Sequence, residues 1–238
     1  IMQSLVGIDK TLSVITLDHS LENLLQNTLA QSRKAGELVL DPKVAEALFK
    51  SVADEKIAAE EKGLLGSEYY ASNPVFPLGK TVAMINMDAL SPGGKARNFS
   101  ISGSAKLDLL DRLIATAEKW NVSYTPDSKP EAGYFFRSDH FPMAKRGVPA
   151  ISYGSGADLL EGGKAAGDKE KADYTAARYH QPADEWQAGW SFEGMTRDLQ
   201  ILYTLGRDLA NSNDWPNWSV DSEFRGARDQ SASERKGD

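Results

Sequence analysis

TVAMINMD, residues 81–88, is the stretch on which the fold turns. Thr81 to Met87 is an apolar run of strand length that reads as a strongly buried β-strand, and it stops abruptly on an acid, Asp88. The polar, glycine-containing SPGGKAR at 91–97 then reads as a turn into a second strand, NFSIS. From Ala105 to Trp120, apolar residues at 107, 110, 114 and 117 fall at helical spacing, with Asp108 and Asp111 facing outward, so this helix covers a sheet face. Ser138 can cap a short helix running to Lys145, Gly147 ends it, and VPAISYG supplies a further strand. Strands alternating with helices predict an α/β fold, a largely parallel mixed sheet flanked by helices.

Working outward, TLSVITL at 11–17 reads as a strand and Asp18 to Ser20 as the cap of a helix carrying Leu21, Leu24, Leu25 and Leu29. ELVL repeats the strand, and Asp41 with Pro42 opens a helix with Val44, Ala47, Leu48 and Val52 on one face. DEKIAAEEK, residues 54–62, is charged, and no β-branched run leads into Glu60. Toward the other end, residues 154–173 are rich in Gly, Lys and Asp with no sustained period and are expected to form a long surface loop. Phe192 to Asn211 reads as one amphipathic helix through Met195, Leu199, Leu202, Leu205 and Leu209, and WPNW packs or caps its end. The polar stretch from Asp221 is expected to be disordered. The chain thus divides into an N-terminal α/β appendage at 1–57, a main domain at 58–220 and a tail at 221–238.

Composition narrows the function classes. A net charge of −7 offers no basic face for nucleic acid, and no apolar run approaches the roughly 20 residues of a membrane span. Cysteine is absent, so thiolate catalysis and Cys-ligated zinc are excluded, and His and carboxylates are the only strong metal ligands. Ile1 to Gly7 lacks the basic start and apolar stretch of a signal peptide.

Few residues suit chemistry. Glu60 and Glu61 are adjacent carboxylates that project differently, so one can bind a metal while the other addresses a metal-bound water; the alternative is solvated helix surface. Asp88 ends a buried strand, where open α/β sheets place ligand-binding groups, or it caps the following turn. His180, before the stiff Pro182, is either a metal ligand or a surface or packing residue. Asp139 and His140 stand at a helix start, either as a carboxylate orienting an imidazole or as part of a cap with Ser138. With only three histidines, His19, His140 and His180, a histidine-rich site is impossible.

AEEKGLLGSEYYASNPVFPLGKTVAMINMD (59–88), FFRSDHFPMAKRGVPA (135–150) and YHQPADEW (179–186) occur in that order and resemble the zinc exopeptidase family of bacterial leucyl aminopeptidases and glutaminyl cyclase relatives. The resemblance spans about residues 58–218. It implies a zinc-dependent aminopeptidase acting on peptides, with Glu60 as general base, Glu61 as ligand of one zinc together with His180, and Asp88 as ligand of the other. Asp139 and His140 would support the site, and Phe135, Phe136, Tyr153 or residues of the 154–173 stretch would line an apolar pocket for the first side chain. Relatives are commonly exported, which would suggest a periplasmic or secreted protein. The family also carries an upstream histidine and a metal-bridging aspartate, whereas the only histidine before Glu60 here is His19, in LDHS. One zinc or none is therefore expected in place of two, and activity of the chain alone is in question. VITLDHSLENLLQNTLAQ and LVLDPKVAEALFKSVADE instead resemble the cytoplasmic domain of the flagellar or type III export-gate protein, which implies an interaction module. The two resemblances meet near AAEEKGLL, so the chain reads as a chimera.

Overall fold

The computed structural model describes residues 2–7, 10–15, 63–88, 90–104 and 106–235, with side chains from Gly63 onward. The run at 81–87 forms a strand with the expected bounds. Six strands build one sheet: β1 (Met2–Gly7), β2 (Lys10–Ile15), β3 (Thr81–Met87), β4 (Asn98–Ile101), β5 (Ser123–Tyr124) and β6 (Ala150–Ser155). Their order is β1-β2-β3-β6-β4-β5. The sheet is mixed. β2, β3 and β6 run parallel, β4 lies antiparallel to β6, β5 lies parallel to β4, and β1 is antiparallel to β2. Register between β3 and β6 pairs Met84 with Ala150 and Met87 with Tyr153, so β3 ends just before Asp88 while β6 runs on to Ser155 in its pairing with β4.

Parallel neighbours need a crossover, and the chain between β3 and β6 supplies it with α2 (Asp108–Glu118) and α3 (Phe141–Lys145). Val82, Ala83 and Met84 are wholly enclosed, as β3's place inside the sheet requires. α5 (Glu193–Ala210) buries Met195, Ile201, Leu202, Leu205 and Leu209, and α2 buries Leu109, Leu113 and Ala117. These two helices pack side by side, each by the apolar stripe its sequence carries. Asp108 and Asp111 face solvent as expected. α1 (Leu65–Ser72) packs on α3.

The structure departs from the sequence reading in three places. Residues 163–173, expected to belong to a loop over 154–173, instead form most of α4 (Gly163–Ala177). Its stripe is missing because almost nothing on it is buried except Gly167, whose missing side chain lets the helix lie against the Ala157 carbonyl. Lys164–Asp168 and Lys169–Asp173 pairs along the helix add i,i+4 support. Ser138 does not cap α3; its hydroxyl donates back to the Tyr134 carbonyl. Residues beyond 221, expected to be disordered, dock as α6 (Arg225–Gln230). Phe224 stacks on Phe135 and leans on Trp218, and the Arg228 guanidinium donates to the carbonyls of Thr81 and Pro216. Arg228 is 1% exposed, and burial, helped by the nearby Arg235 charge and opposed by that of Asp108, lowers it to about 9. A polar composition concealed this segment because its anchor is a cation.

Trp218 is buried and donates from Nε1 to the Gly147 carbonyl, so the WPNW segment packs as expected. At the N-terminus, β2 takes up most of the expected 11–17 strand, and β1 and β2 join the sheet that the rest of the chain builds. The helices expected near 21–29 and 42–52, and the ELVL strand, lie outside the described residues.

Arg228→Ala removes charge-assisted hydrogen bonds to two buried carbonyls and is expected to cost about 3 kcal/mol of folding free energy, read from urea unfolding. Gly167→Ala, normally stabilising in a helix by up to about 1 kcal/mol, should destabilise here. Its Cβ would stand 2.0 Å from the Ala157 oxygen. A raised melting midpoint for that variant would contradict the close packing of α4.

Candidate active site

Three chain segments reach the neighbourhood of Asp88. Asp88 itself follows the last residue of β3 and is exposed. That position follows from the sequence: a strand enclosed along its length leaves only its end where a carboxylate can stay hydrated.

The second segment holds Asp139. This half-buried carboxylate accepts a 2.7 Å hydrogen bond from the Ser67 hydroxyl of α1. Burial raises its pKa, the Ser67 hydrogen bond opposes that, and the nearby charge of Asp88 raises it further. The two acids therefore lie close enough to repel. α1 is held in place by Glu68, which bridges Lys145 at 2.9 Å and Arg146 at 2.5 Å. Hydrogen bonds first from Arg146 and then from Lys145 bring the Glu68 carboxyl down to about 2.

His140, next to Asp139, is fully enclosed, with its ring edge-on to Phe135 at 4.6 Å. Neither ring nitrogen has a hydrogen-bond partner among the described residues, and burial pushes the imidazole down to about 3. It is a neutral packing group here. Phe136 is 49% exposed, free to touch a ligand, whereas Tyr153 is 2% exposed and stacks on Phe99 at 5.4 Å. Tyr153 is thus a core residue closed off from any open pocket. Its hydroxyl faces the buried Asp198 carboxylate without forming a well-aligned hydrogen bond, and burial, then Asp198, keep its proton on. Asp198 is satisfied by Ser155 at 2.8 Å and by the Arg197 guanidinium at 2.8 Å.

The third segment follows α4. His180 is exposed and has a left-handed backbone, φ 59°. For a non-glycine residue that conformation costs about 1–2 kcal/mol. Its ring stacks on Tyr179 at 3.8 Å between centroids. Tyr174, at the end of α4, donates from its hydroxyl to Asp184 at 2.7 Å. Burial holds that phenol's proton on, Asp184 adds to this, and the charge of Asp88 contributes as well, so Tyr174 stands within the field of Asp88. α4 is tied to the loop after β3 by the Ser91 hydroxyl, which donates to Glu170 at 2.8 Å.

The charge of Asp88 thus acts both on Asp139 and on Tyr174 in the last turns of α4. Glu60 and Glu61 lie outside the described residues. Among the described residues, no three His, Asp or Glu side chains gather as a metal site. Asp88 and His180 have the right donor chemistry for zinc, but two donors fall short of the three or more that durable zinc sites use.

The profile of Peptidase family M28 matches residues 56–202, well over half of the chain. The chain belongs to peptidase family M28. The family consists of peptidases that are generally zinc-dependent, and the mixed α/β sheet flanked by helices is consistent with an M28 fold. The M28 match covers Glu60, Glu61, Asp88, Asp139, His140 and His180 and ends within α5. No curated protein and no solved structure matches this chain.

Within this M28 chain, sequence reading passed over Ser67, Glu68, Tyr174 and Asp184. Ser67 and Glu68 lie inside the quoted 59–88 motif and Asp184 inside YHQPADEW, so their nearness to the named residues was the available signal. Tyr174 gave none, because it lies just past the 154–173 stretch and outside the quoted motifs.

The His140 environment predicts a pH dependence. Its folded pKa of about 3 lies below the ordinary 6.5, so between these values the unfolded chain binds the proton more readily. Stability contributed by neutral His140 is complete above about pH 6.5 and declines as pH falls toward 3, by about 2 kcal/mol at pH 5. His140→Phe should flatten that part of the profile of melting midpoint against pH; an unchanged slope would remove His140 as its source.

Proposed function

We propose that this chain is a metallo-aminopeptidase, removing amino-terminal residues from peptides, with zinc held by Glu61, Asp88 and His180 and with Glu60 as general base. The observation that carries the reading is the M28 match across all of these residues, with Asp88 at the end of a buried strand. Asp139 and Asp88 add physical support: two carboxylates close enough to raise the pKa of one of them favour a cation between or beside them. A metal ion or the ammonium of a free amino terminus satisfies that demand. Bound zinc would polarise the scissile carbonyl and acidify a water. The chain's own part is Glu60 as proton carrier, Asp139 as a carboxylate fixed by Ser67, and Phe136 as exposed apolar surface for a side chain.

A second reading, a non-catalytic chain of the same family, is favoured by one observation: upstream of Glu60 the sequence offers His19 as its only imidazole. Metal content by mass spectrometry and hydrolysis of leucine p-nitroanilide separate the two. For the aminopeptidase, at least one zinc per chain is expected, with Glu60→Gln lowering kcat by about 100-fold or more while zinc is retained. Absence of stoichiometric zinc together with absence of turnover would leave only the non-catalytic reading.

A further inference from the structure

Tyr174 grips the turn that carries His180 at both ends. Its carbonyl accepts the backbone N–H groups of Arg178 and Tyr179, each at 2.9 Å, which closes the last turn of α4. Its hydroxyl donates to the Asp184 carboxylate at 2.7 Å, reaching across ten residues to the far side of the same turn. Within the span, the Gln181 N–H donates to the Arg178 carbonyl at 2.8 Å and that of Asp184 to the Gln181 carbonyl at 3.0 Å. His180 sits in the middle with φ 59°, a conformation that persists only where the surroundings enforce it. The rings form a series: Tyr174 lies 5.9 Å from Tyr179, which stacks on His180 at 3.8 Å. Arg178 places its guanidinium 5.4 Å from the Tyr174 ring centre, covering it. The Ser91–Glu170 hydrogen bond ties α4 to the loop after Asp88.

We infer that the Tyr174–Asp184 hydrogen bond is a clamp that sets the position of the His180 imidazole at the Asp88 end of the sheet, making Tyr174 and Asp184 positioning residues for this site. The inference rests on His180 belonging to the site, as in the function proposed above. A helix-capping role alone would use the Tyr174 carbonyl and leave the hydroxyl dispensable. The geometry instead spends the hydroxyl on the far side of the histidine, and the strained backbone lies between the two anchors. Asp184 accepts and the phenol donates, so substitution of either partner releases the same constraint.

The test uses the full chain with EDTA at fixed pH. Imidazole ring signals are read by NMR, with His180→Gln assigning one of the three histidines. Tyr174→Phe and Asp184→Asn are each expected to move or broaden the His180 signals, the double variant no further than either alone, with the signals of His19 and His140 unchanged. His180 signals that stay in place in both variants would overturn the clamp, whatever happens to the melting midpoint. Turnover of leucine p-nitroanilide, assayed in a separate EDTA-free sample supplied with zinc, is the second readout: each variant is expected to lower kcat about tenfold with KM unchanged, and an unaltered kcat would also count against it. A wild-type chain that shows no turnover tells against the peptidase reading alone, and the imidazole signals then decide the clamp.

Discussion

The enclosure of β3 is the constraint on which the rest depends. Its first four residues have no solvent exposure, and its neighbours β2 and β6 run parallel to it on either side. Backbone groups so enclosed must all be paired, which leaves little tolerance at the strand's start. There the Thr81 carbonyl accepts from Arg228, a residue 147 positions away, so the C-terminal helix fastens the strand on which the site is built. At the other end the enclosure stops, and Asp88 meets water. A strand anchored at one end and open at the other defines where charge can gather.

Charge does gather there, and with one sign. Asp139 reaches the same region because Ser67 orients it and because Glu68 ties α1 to α3 through Lys145 and Arg146. The ion pairs at Glu68 lie at the surface, where each is worth at most about 1 kcal/mol. Their contribution is placement of Ser67. Farther from the surface, His140 and Tyr153 fill space, the first against Phe135 and the second against Phe99. Both are neutral, and the like charges of Asp88 and Asp139 at the strand end suit the cationic partners of a peptidase that is generally zinc-dependent.

The family was legible because its motifs fall on short, ordered stretches with rare residues at fixed places. SDH at 138–140 and YHQPADEW at 179–186 are of that kind, and the M28 match spans both. Asp88 was legible for a physical reason, since an apolar run that ends in an acid marks where a buried strand emerges. α4 and α6 were not, because each docks by features that hydrophobic periodicity does not register. α4 docks through one glycine and a hydrogen bond from Ser91 to Glu170; α6 docks through a buried guanidinium. Tyr153 illustrates the converse, for an aromatic residue beside a strand end can point either into a pocket or into the core.

By itself the sequence determined the α/β class, the place of β3 and Asp88, the amphipathic α2 and α5, and membership of a peptidase family. Those depend on local pattern, the spacing of apolar residues and the order of motifs along the chain. Only the tertiary structure decided that Asp139 feels the charge of Asp88, that His140 is a neutral packing group, and that Tyr174 reaches Asp184 across the His180 turn. Each of these is a relation between residues far apart in the chain or a consequence of lost solvent. Neither can be read from the sequence of side chains until the sheet has brought its segments together and excluded water from between them.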